Sequence, residues 1–428
     1  MIERLEDRSL LSAILVTNLA DAGEGSLRAA VEQANDQSGE DLIKFQRRLN
    51  GTISLGTGQM EITEDLTIKG RGGSRITVSG NRSSRIFSVQ SGVEFSIADI
   101  TLAEGRNVSQ DDIGIRLTRG GAILNDGGTL RLSGVRLLNN MAVDNGMAAE
   151  LSDVVGGGAV VNSGNATLFA NNCLFVGNSV SGGTRYAFGG AIANVTNSSA
   201  SIRNSTFIGN VSTSGATNYG GAIGNFGNSQ LTVSGCSFLG NSARGAAPGQ
   251  DAYGGAIAAR PGTVADSGST TTIARSLFQR NRAVGGTGSD SESGGNSGGG
   301  AFFNFESSLI VSRSLLRGNR AIGGGGPQGG DAFGGAIYDR SGETHLYRTK
   351  IVRNRATGIR GGTGVGGGIY NTGTLTLDRS TLRATVANRA STSDHNIYGE
   401  RSITPSHAIR AFGLFAGMKR FGHSVFRR

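Results

Sequence analysis

Residues 189–210 read GGAIANVTNSSASIRNSTFIGN, and residues 220–241 repeat the phrase as GGAIGNFGNSQLTVSGCSFLGN. Two boxes recur along the chain: a Gly-Gly pair followed by a small and an apolar residue, and then an apolar-x-x-Asn box. The first box begins at Gly120, Gly157, Gly189, Gly220, Gly254, Gly299, Gly334 and Gly366. A repeat of roughly 20 to 50 residues indicates a solenoid, a propeller or a tandem array.

The alternation of apolar residues inside the repeats predicts strands. SQLTVSG puts Leu231 and Val233 on one face, and TGTLTLDRS does the same with Leu375 and Leu377. Period two is typical of strands, and no stretch between the boxes has helical period, which excludes helical-hairpin repeats. The Gly-to-Asn segment has a nearly constant length, whereas the Asn-to-next-Gly segment varies. This favours an all-β, right-handed parallel β-helix, with about three short strands per coil and one variable loop, over a propeller.

Residues at equivalent positions of successive coils should form columns. The aromatic column is expected to stack in the core, the Asn column to make a tight, left-handed corner, and the first Gly of each box to supply positive φ or close backbone approach. We predict structural rather than chemical roles for all of these, together with a column of small residues. The aromatic column contains Phe175, Phe207, Phe238 and Phe278, continued by Leu316, Ile351 and Leu382. The Asn column contains Asn140, Asn178, Asn210, Asn241, Asn281, Asn319 and Asn354, with Thr385 in the eighth copy. The small column contains Val135, Cys173, Ser205, Cys236, Ser276, Ser314, Thr349 and Ser380.

Both ends of the chain differ from the repeats. GEGSLRAAVEQAN (23–35) predicts a helix with Ser26 as N-cap, and Leu27, Ala30, Val31 and Ala34 on its buried face, closing the open end of the solenoid. The organisation predicted is an export segment and lead-in (1–23), a capping-helix region (24–50), irregular early coils (51–115), repeat coils (116–392) and a C-terminal cap or basic tail (393–428).

The composition is rich in glycine and arginine. The chain has 428 residues, 72 Gly, 4 Pro and a formal net charge of +9. Only four of the 41 basic residues are Lys, and residues 271–390 contain 15 basic against 7 acidic residues. The two cysteines occupy one coil position two repeats apart, roughly 9.6 Å at the usual strand spacing. That separation is too long for a disulfide, so we expect free, buried thiols.

An arginine ladder is the strongest functional signal. Aligned guanidinium groups suit carboxylate or sulfate groups along an acidic polysaccharide. The alternative is a solvated face produced by arginine-rich coding, partly neutralised by Glu343 and Asp378. Nucleic acid is less favoured, because the aromatic residues are placed in the core or at loop bases. The candidate polyanion-binding residues are Arg275, Arg313, Arg348 and Arg379 before the small column, and Arg282, Arg320 and Arg355 after the Asn.

Catalytic and metal-binding patterns are weak. Glycoside hydrolysis needs two carboxylates facing one cleft, and the only adjacent acids of the repeat region are Asp111 and Asp112. Asp394 and His395 form one isolated pair, and the four histidines are scattered. Asp251, Asp331, Asp290 and Glu292 offer too few oxygens per loop for calcium, so solvation of the loops is the better interpretation. We predict no catalytic residue, no cofactor and no metal site.

Three resemblances add expectations about fold and function. IERLEDRSLLSA (2–13) resembles a sorting segment of large exported bacterial proteins, and SLRAAVEQAN resembles the CSLREA-type N-terminal module, with Gly25 in place of its Cys. The GGA-I and F-x-x-N boxes over about 115–390 resemble the polymorphic outer-membrane protein repeat, whose β-helix passengers are displayed at the cell surface for adhesion. Members of that family end in an autotransporter barrel, and no alternating pattern of that kind follows residue 390 here.

The function expected is that of an exported, non-enzymatic, adhesin-like binder, extracellular or at the cell surface, whose partner is an anionic polysaccharide or cell-surface glycan. We expect no transmembrane segment and no autotransporter barrel in these residues. The same pectin-lyase-like fold carries polysaccharide lyases and glycoside hydrolases, which form the alternative function. A structural component of a surface layer or matrix is the third.

Overall fold

A computed structural model of the chain describes residues 13–72, 75–108, 118–144, 154–183, 186–262 and 268–404. These residues form an all-β parallel solenoid of about eight turns with two short helices, which confirms the predicted solenoid fold. The sorting-like segment before residue 13, Asp111 and Asp112, and the tail from Pro405 onward lie outside the described residues.

Five parallel sheets, here named A to E, run along the solenoid in the described residues. Sheet A contains Ile14–Val16, Asp41–Phe45, Leu66–Lys69, Glu94–Ala98, Thr129–Ser133, Thr167–Asn171, Ser199–Arg203, Gln230–Ser234, Thr270–Ala274, Ser308–Ser312, Glu343–Tyr347, Thr374–Asp378 and Ser402–Thr404. Sheet B contains Gly51–Ser54, Ile76–Ser79, Thr101–Ala103, Arg136–Leu138, Leu174–Val176, Thr206–Ile208, Ser237–Leu239, Leu277–Gln279, Leu315–Arg317, Lys350–Val352 and Thr385–Val386. Sheet C contains Met60–Ile62, Phe87–Val89, Ile123–Asp126, Val160–Ser163, Ile192–Asn194, Ile223–Phe226, Ile257–Arg260, Phe302–Phe305, Ile337–Arg340, Ile369–Asn371 and Ile397–Tyr398.

Sheets D and E add two further strands to each complete coil. Sheet D contains Arg106–Val108, Met141–Val143, Ser179–Gly182, Val211–Ser214, Ser242–Gly245, Arg282–Val284, Arg320–Ile322, Arg355–Thr357 and Arg389–Ala390. Sheet E contains Thr118–Arg119, Val154–Gly156, Tyr186–Phe188, Asn218–Tyr219, Ala252–Tyr253, Ser297–Gly298, Ala332–Phe333 and Gly364–Val365. The chain passes through the sheets in the order E, C, A, B, D. Coils 1 to 8 are residues 118–143, 154–182, 186–214, 218–245, 252–284, 297–322, 332–357 and 364–390.

The prediction of three strands per coil is therefore too low for the repeat region. The variable segment between each Asn and the next Gly pair is not only a loop, because its two ends form the strands of sheets D and E. These sheets pack against each other through small side chains, and we name the pair the fin. Its interior includes Ala142, Val155, Val180 and Ala187 at one end, and Ala321, Ala332, Ala356 and Ala390 at the other. Alanine is small enough to let the backbones of the two sheets approach closely. The period-two pattern of the sequence does not reveal these two extra strands.

The aromatic column is confirmed as a continuous stack in the core. Phe175, Phe207, Phe238 and Phe278 are fully buried, with successive ring centroids 4.5, 4.6 and 4.5 Å apart and nearly parallel planes. The assignment of Leu382 to this column is wrong. Ile351 pairs with Thr385 instead, because helix α2 (Arg379–Ala384) inserts residues between sheets A and B and displaces the last copy.

The Asn column lies buried at the corner between sheets B and D. Each side-chain oxygen accepts the backbone N–H and the side-chain amide of the preceding Asn, as between Asn178 and Asn210 at 3.0 and 2.9 Å. In coil 8 the column continues through Asn388, which accepts from Asn354 at 3.0 Å. The left-handed residue is the one before the Asn, such as Gly209 with φ +59°. The Asn is thus selected for its hydrogen bonds between coils rather than for its backbone conformation.

The two glycines of each first box have different roles. The first has φ between +59° and +69° in all eight copies, a region that favours glycine. The second lies against the next coil: a Cβ on Gly190 would be 2.2 Å from the carbonyl oxygen of Gly221. Side chains at either position would therefore distort the stack of coils.

The N-terminal cap agrees with its prediction. Helix α1 (Leu27–Asn35) begins after Ser26, whose side chain accepts the backbone N–H of Ala29 at 3.1 Å. The buried residues of α1 are Leu27, Ala30, Val31 and Ala34, which join the main core. The helix thereby covers an end of the solenoid that would otherwise expose apolar side chains.

A second buried polar column, absent from the sequence analysis, follows sheet C. Asn125, Asn162, Asn194 and Asn225 are fully buried, and each donates its side-chain amide to the next at 2.7 to 2.8 Å. Ala259 interrupts the column in coil 5, and Asn304, Asp339 and Asn371 continue it. In the sequence, this column corresponds to the Asn of each GGAIxN phrase.

Candidate functional site: a basic band on coils 5 to 8

A continuous run of arginine and lysine occupies the same part of the last four coils. Residues 275–284, 313–322, 348–357 and 379–390 extend from the corner between sheets A and B, across sheet B, to sheet D. They contain 13 basic residues and no acidic residue, whereas the equivalent segments of coils 1 to 4 contain only Arg136 and Arg244. All 13 side chains are exposed. We name them the basic band: Arg275, Arg280, Arg282, Arg313, Arg317, Arg320, Arg348, Lys350, Arg353, Arg355, Arg379, Arg383 and Arg389.

Sheet D brings three of the predicted arginines into one column and adds a fourth. Arg282 pairs with Arg320, Arg320 with Arg355, and Arg355 with Arg389, each in direct register. Arg389 was missed because the eighth copy was aligned on Leu382 and Thr385. The Asn-Arg dipeptide at 388–389, identical to those at 281–282, 319–320 and 354–355, is the signal that identifies it.

The other predicted column lies at the corner between sheets A and B. Arg275, Arg313 and Arg348 have φ of 49°, 49° and 48°, in the left-handed region. Earlier coils fill this corner with Gly134, Asn172, Asn204 and Gly235, the residue types that tolerate this conformation best. Arg280 and Arg353 occupy the equivalent left-handed position before the Asn column, with φ of 58° and 57°.

Arg379 does not continue the corner column. It is the first residue of α2, and Asp378 is the N-cap of that helix. The Asp378 carboxylate accepts the backbone N–H groups of Arg348 at 3.2 Å and Thr381 at 2.8 Å. Burial opposes ionisation of Asp378, but these hydrogen bonds prevail and lower its pKa. The corner column thus ends after three arginines.

The charges of the basic band are not neutralised from within the described part of the chain. The ion pairs found there join Arg28 to Asp21, Arg82 to Glu104 and Arg131 to Glu94, and none involves the band. Glu343, one of the two expected neutralising acids, lies 2.8 Å from His345. Arg275 donates to the Ser234 hydroxyl at 2.9 Å. The band therefore presents net positive charge to solvent.

The aromatic residues at the loop bases pack between sheets E and C. Phe188, Phe226, Tyr253, Phe303 and Tyr338 are each at most 8% exposed. Their rings form a chain of contacts, with centroids 4.8 Å apart for Phe188 and Phe226 and 4.7 Å for Tyr253 and Phe303. The guanidinium of Arg260 covers Tyr219 at 5.1 Å. These residues form a second apolar cluster that holds the fin against the solenoid.

The acidic loop residues considered for calcium do not converge. Asp251 accepts the backbone N–H of Asn296 at 2.7 Å, and Asp331 accepts that of Thr363 at 2.6 Å. These two carboxylates hold the next coil in place, which corrects the expectation that they only solvate loops. Within the described ranges, no three His, Cys, Asp or Glu side chains are grouped closely enough to hold a metal ion.

The comparisons leave the family of the chain open. None of the helices that the structure describes is long and apolar enough to span a membrane. No family model and no curated protein matches the sequence.

Proposed function

We propose that this protein is an exported, non-enzymatic β-helix binder of adhesin type, and that its basic band holds an anionic polysaccharide. The observation that carries the proposal is the set of five arginines in left-handed backbone, at corners where other coils have mostly Gly or Asn. A left-handed residue with a Cβ costs about 1–2 kcal/mol. Arg82 and Arg360 are also left-handed outside the band, so the support for anion recognition comes from the grouping of five such arginines on one face of coils 5 to 7.

The chemistry of the band also supports this ligand class. Thirteen exposed basic residues, with Asp378 as the acid beside Arg348 and Arg379, attract polyanions and repel one another. Arginine presents a planar fork of donors that matches carboxylate and sulfate oxygens. The export and adhesion parts of the proposal rest on the resemblances of residues 2–13 and of the GGAI/FxxN boxes.

The test compares two variants with equal loss of charge. In the band variant, Arg313 becomes Asn, which occupies that corner in coils 2 and 3, and Arg320 and Arg355 become Ser, which occupies their position on sheet D in coils 2 and 4. In the control variant, the exposed Arg47, Arg48 and Arg203 become Ser. We expect the band variant alone to elute at clearly lower salt from sulfated and uronate resins, since screened charge contacts dominate. Equal elution of both variants would refute the proposal.

The same samples distinguish binding from catalysis. Each polysaccharide is incubated with the protein, and the ultraviolet absorbance of unsaturated products is followed. We expect no product. Accumulating product would show that the protein is a polysaccharide lyase rather than a binder. If there is neither product nor retention on the resins, the remaining function is that of a structural component of a surface layer or matrix.

A further inference from the structure

The arginine column of sheet D is straight and regularly spaced. Arg282, Arg320, Arg355 and Arg389 are consecutive register partners in parallel strands. Adjacent strands are about 4.8 Å apart, so the four Cα atoms span roughly 14 Å parallel to the solenoid axis. The column therefore offers one guanidinium group per coil along a line.

Both ends of this column are defined. On the N-terminal side, the register partner of Arg282 is Ser242, and the preceding positions hold Val211, Ser179 and Met141. On the other side, Arg389–Ala390 is the last strand of sheet D in the described residues. The register column thus has four arginines, and Arg244 of coil 4 adds a fifth charge at its N-terminal end, because its Nε donates to the Ser242 hydroxyl at 3.1 Å.

Half-buried side chains lie beside the arginines on the same outer surface of sheet D. Two residues after the first three arginines come Val284, Ile322 and Thr357, which pair with one another in register and point to the same side as the arginines. A strip of methyl groups next to a row of cations suits a polymer with an apolar carbon skeleton and regularly placed acidic groups. A sugar chain with carboxylate or sulfate substituents has that character.

The column carries repulsion that such a ligand removes. Two unit charges about 5 Å apart in water repel by about 0.8 kcal/mol, and the column contains three neighbouring pairs. The corner column of Arg275, Arg313 and Arg348 is a poorer binding site for a linear ligand, because it has three members and ends beside the Asp378 carboxylate. The two columns are seven positions apart along the chain within a coil, which is at most about 25 Å of extended chain.

From this geometry we infer that the ligand of the basic band is a linear acidic oligosaccharide segment lying parallel to the solenoid axis on sheet D. It contacts Arg282, Arg320, Arg355 and Arg389, together with Arg244 at the N-terminal end, with one acidic group per coil, and its charged footprint is five groups long. The inference rests on the proposed function and adds the direction and the length of the ligand.

The experiment measures affinity against ligand length with the full chain. Oligouronates with two to eight carboxylates are titrated at one low salt concentration, and single-stranded DNA with equal charge numbers is titrated in parallel. Exposed ion pairs are individually weak, so we expect about a two- to five-fold gain for each added charge. The gain should stop at about five charges.

Two double variants test the direction. Arg320→Ser with Arg355→Ser places in the column the residue found at Ser179 and Ser242, and should cost the five-charge ligand about 4- to 25-fold in affinity. Arg275→Asn with Arg313→Asn removes equal charge from the corner column and should cost clearly less. Thermal unfolding of both variants establishes that they are folded.

The outcomes separate the two levels of the proposal. Equal losses of affinity in the two double variants would overturn the axial placement of the ligand while keeping a polyanion binder. The same holds if the affinity does not change between two and eight charges, or if it still rises at eight. Tighter binding of DNA than of oligouronates of equal charge would overturn the sugar assignment. If wild-type protein binds no oligouronate of any length, the proposed function itself fails.

Discussion

Asn304 donates its side-chain amide to Asp339 Oδ1 at 3.3 Å, so that a carboxyl group occupies a column otherwise made chiefly of asparagine amides. Both residues are fully buried. Burial is the main reason that the pKa of Asp339 is raised to about 6. Among the described residues, Asp339 Oδ2 has no hydrogen-bond partner, because an oxygen stands where the other members carry a donating nitrogen.

Asp339→Asn should stabilise the protein at neutral pH. The folded-state pKa of about 6 exceeds the ordinary value of 3.8, so the native state holds the proton more tightly than the unfolded state. Native stability is therefore lost as pH rises from about 4 to 6, by about 3 kcal/mol when ionisation is complete.

Chemical denaturation of wild type and Asp339→Asn between pH 4 and 8 measures this effect. We expect the variant to be more stable at pH 7.5 and the difference to shrink toward pH 4. Asp290→Asn, in an exposed loop, serves as the control and should show no such trend. A difference that is constant over this pH range would show that Asp339 does not titrate as a buried acid.

Asn210→Ala should destabilise the core corner by about 2–4 kcal/mol. The Asn210 oxygen accepts from the backbone and side chain of Asn178, and its amide donates to Phe175 and Asn241, all in buried positions. Leaving such groups without partners costs about 1–3 kcal/mol each. Urea denaturation is compared with Gln230→Ala, an exposed amide on sheet A, and equal losses would contradict the column's role.

Ser212→Ala should raise stability by about 1 kcal/mol. Ser212 is fully buried in the fin, and among the described residues its hydroxyl has no hydrogen-bond partner. Its register partner in the next coil is Ala243, so the fin already accommodates alanine there. Removing an unpaired buried hydroxyl recovers its desolvation cost.

The neighbouring Ser214 provides the matched control for this change. Its hydroxyl donates to the carbonyl of Ala216 at 3.1 Å and accepts the N–H of the same residue at 3.2 Å. Ser214→Ala should therefore lower the midpoint of thermal unfolding, while Ser212→Ala raises it. Shifts of the same sign in both variants would contradict this assignment.

Arg313→Asn should stabilise the chain by about 0.5–1 kcal/mol in the absence of ligand, because asparagine tolerates φ of 49° better than arginine. Arg313→Ala removes the same charge but lacks the short polar side chain that lets asparagine tolerate left-handed backbone. Thermal unfolding at high salt, where charge repulsion is screened, isolates the backbone contribution. An equal gain for Ala and Asn there would mean that strain at this corner is negligible.

The two cysteines should be unreactive in the native state. Burial raises the pKa of Cys173 to about 12 and that of Cys236 to about 11, so neither thiol is ionised at neutral pH. Ser205 lies between them, accepting the N–H of Cys173 and donating to Cys236 Sγ. Thiol-reagent labelling followed by mass spectrometry should require denaturant, and rapid native labelling or a disulfide mass would contradict the structure.

The sequence predicted the periodic features and failed where periodicity breaks. The Phe207 stack, the Gly189 turn and the Ser26 cap follow from residue types that recur or cap in known ways. The last copy was misaligned because α2 inserts residues after Asp378. The core position expected at Leu382 is therefore taken by Thr385, and Arg389 was not recognised as a member of the sheet D column. The aligned arginines were predicted, but their left-handed backbone at Arg313 and Arg348 was not, since nothing in the residue type indicates positive φ.

The sequence by itself determined the parallel coil, its core and its capping helix, because each depends on local pattern and on a repeat that forces like residues into columns. Only the tertiary structure decided that the variable segments form the fin, that Asp251 and Asp331 hold adjacent coils, and that four arginines share one line on sheet D. These features depend on which coils lie next to each other after insertions of different length. That register is set by hydrogen bonds between coils rather than by spacing along the chain.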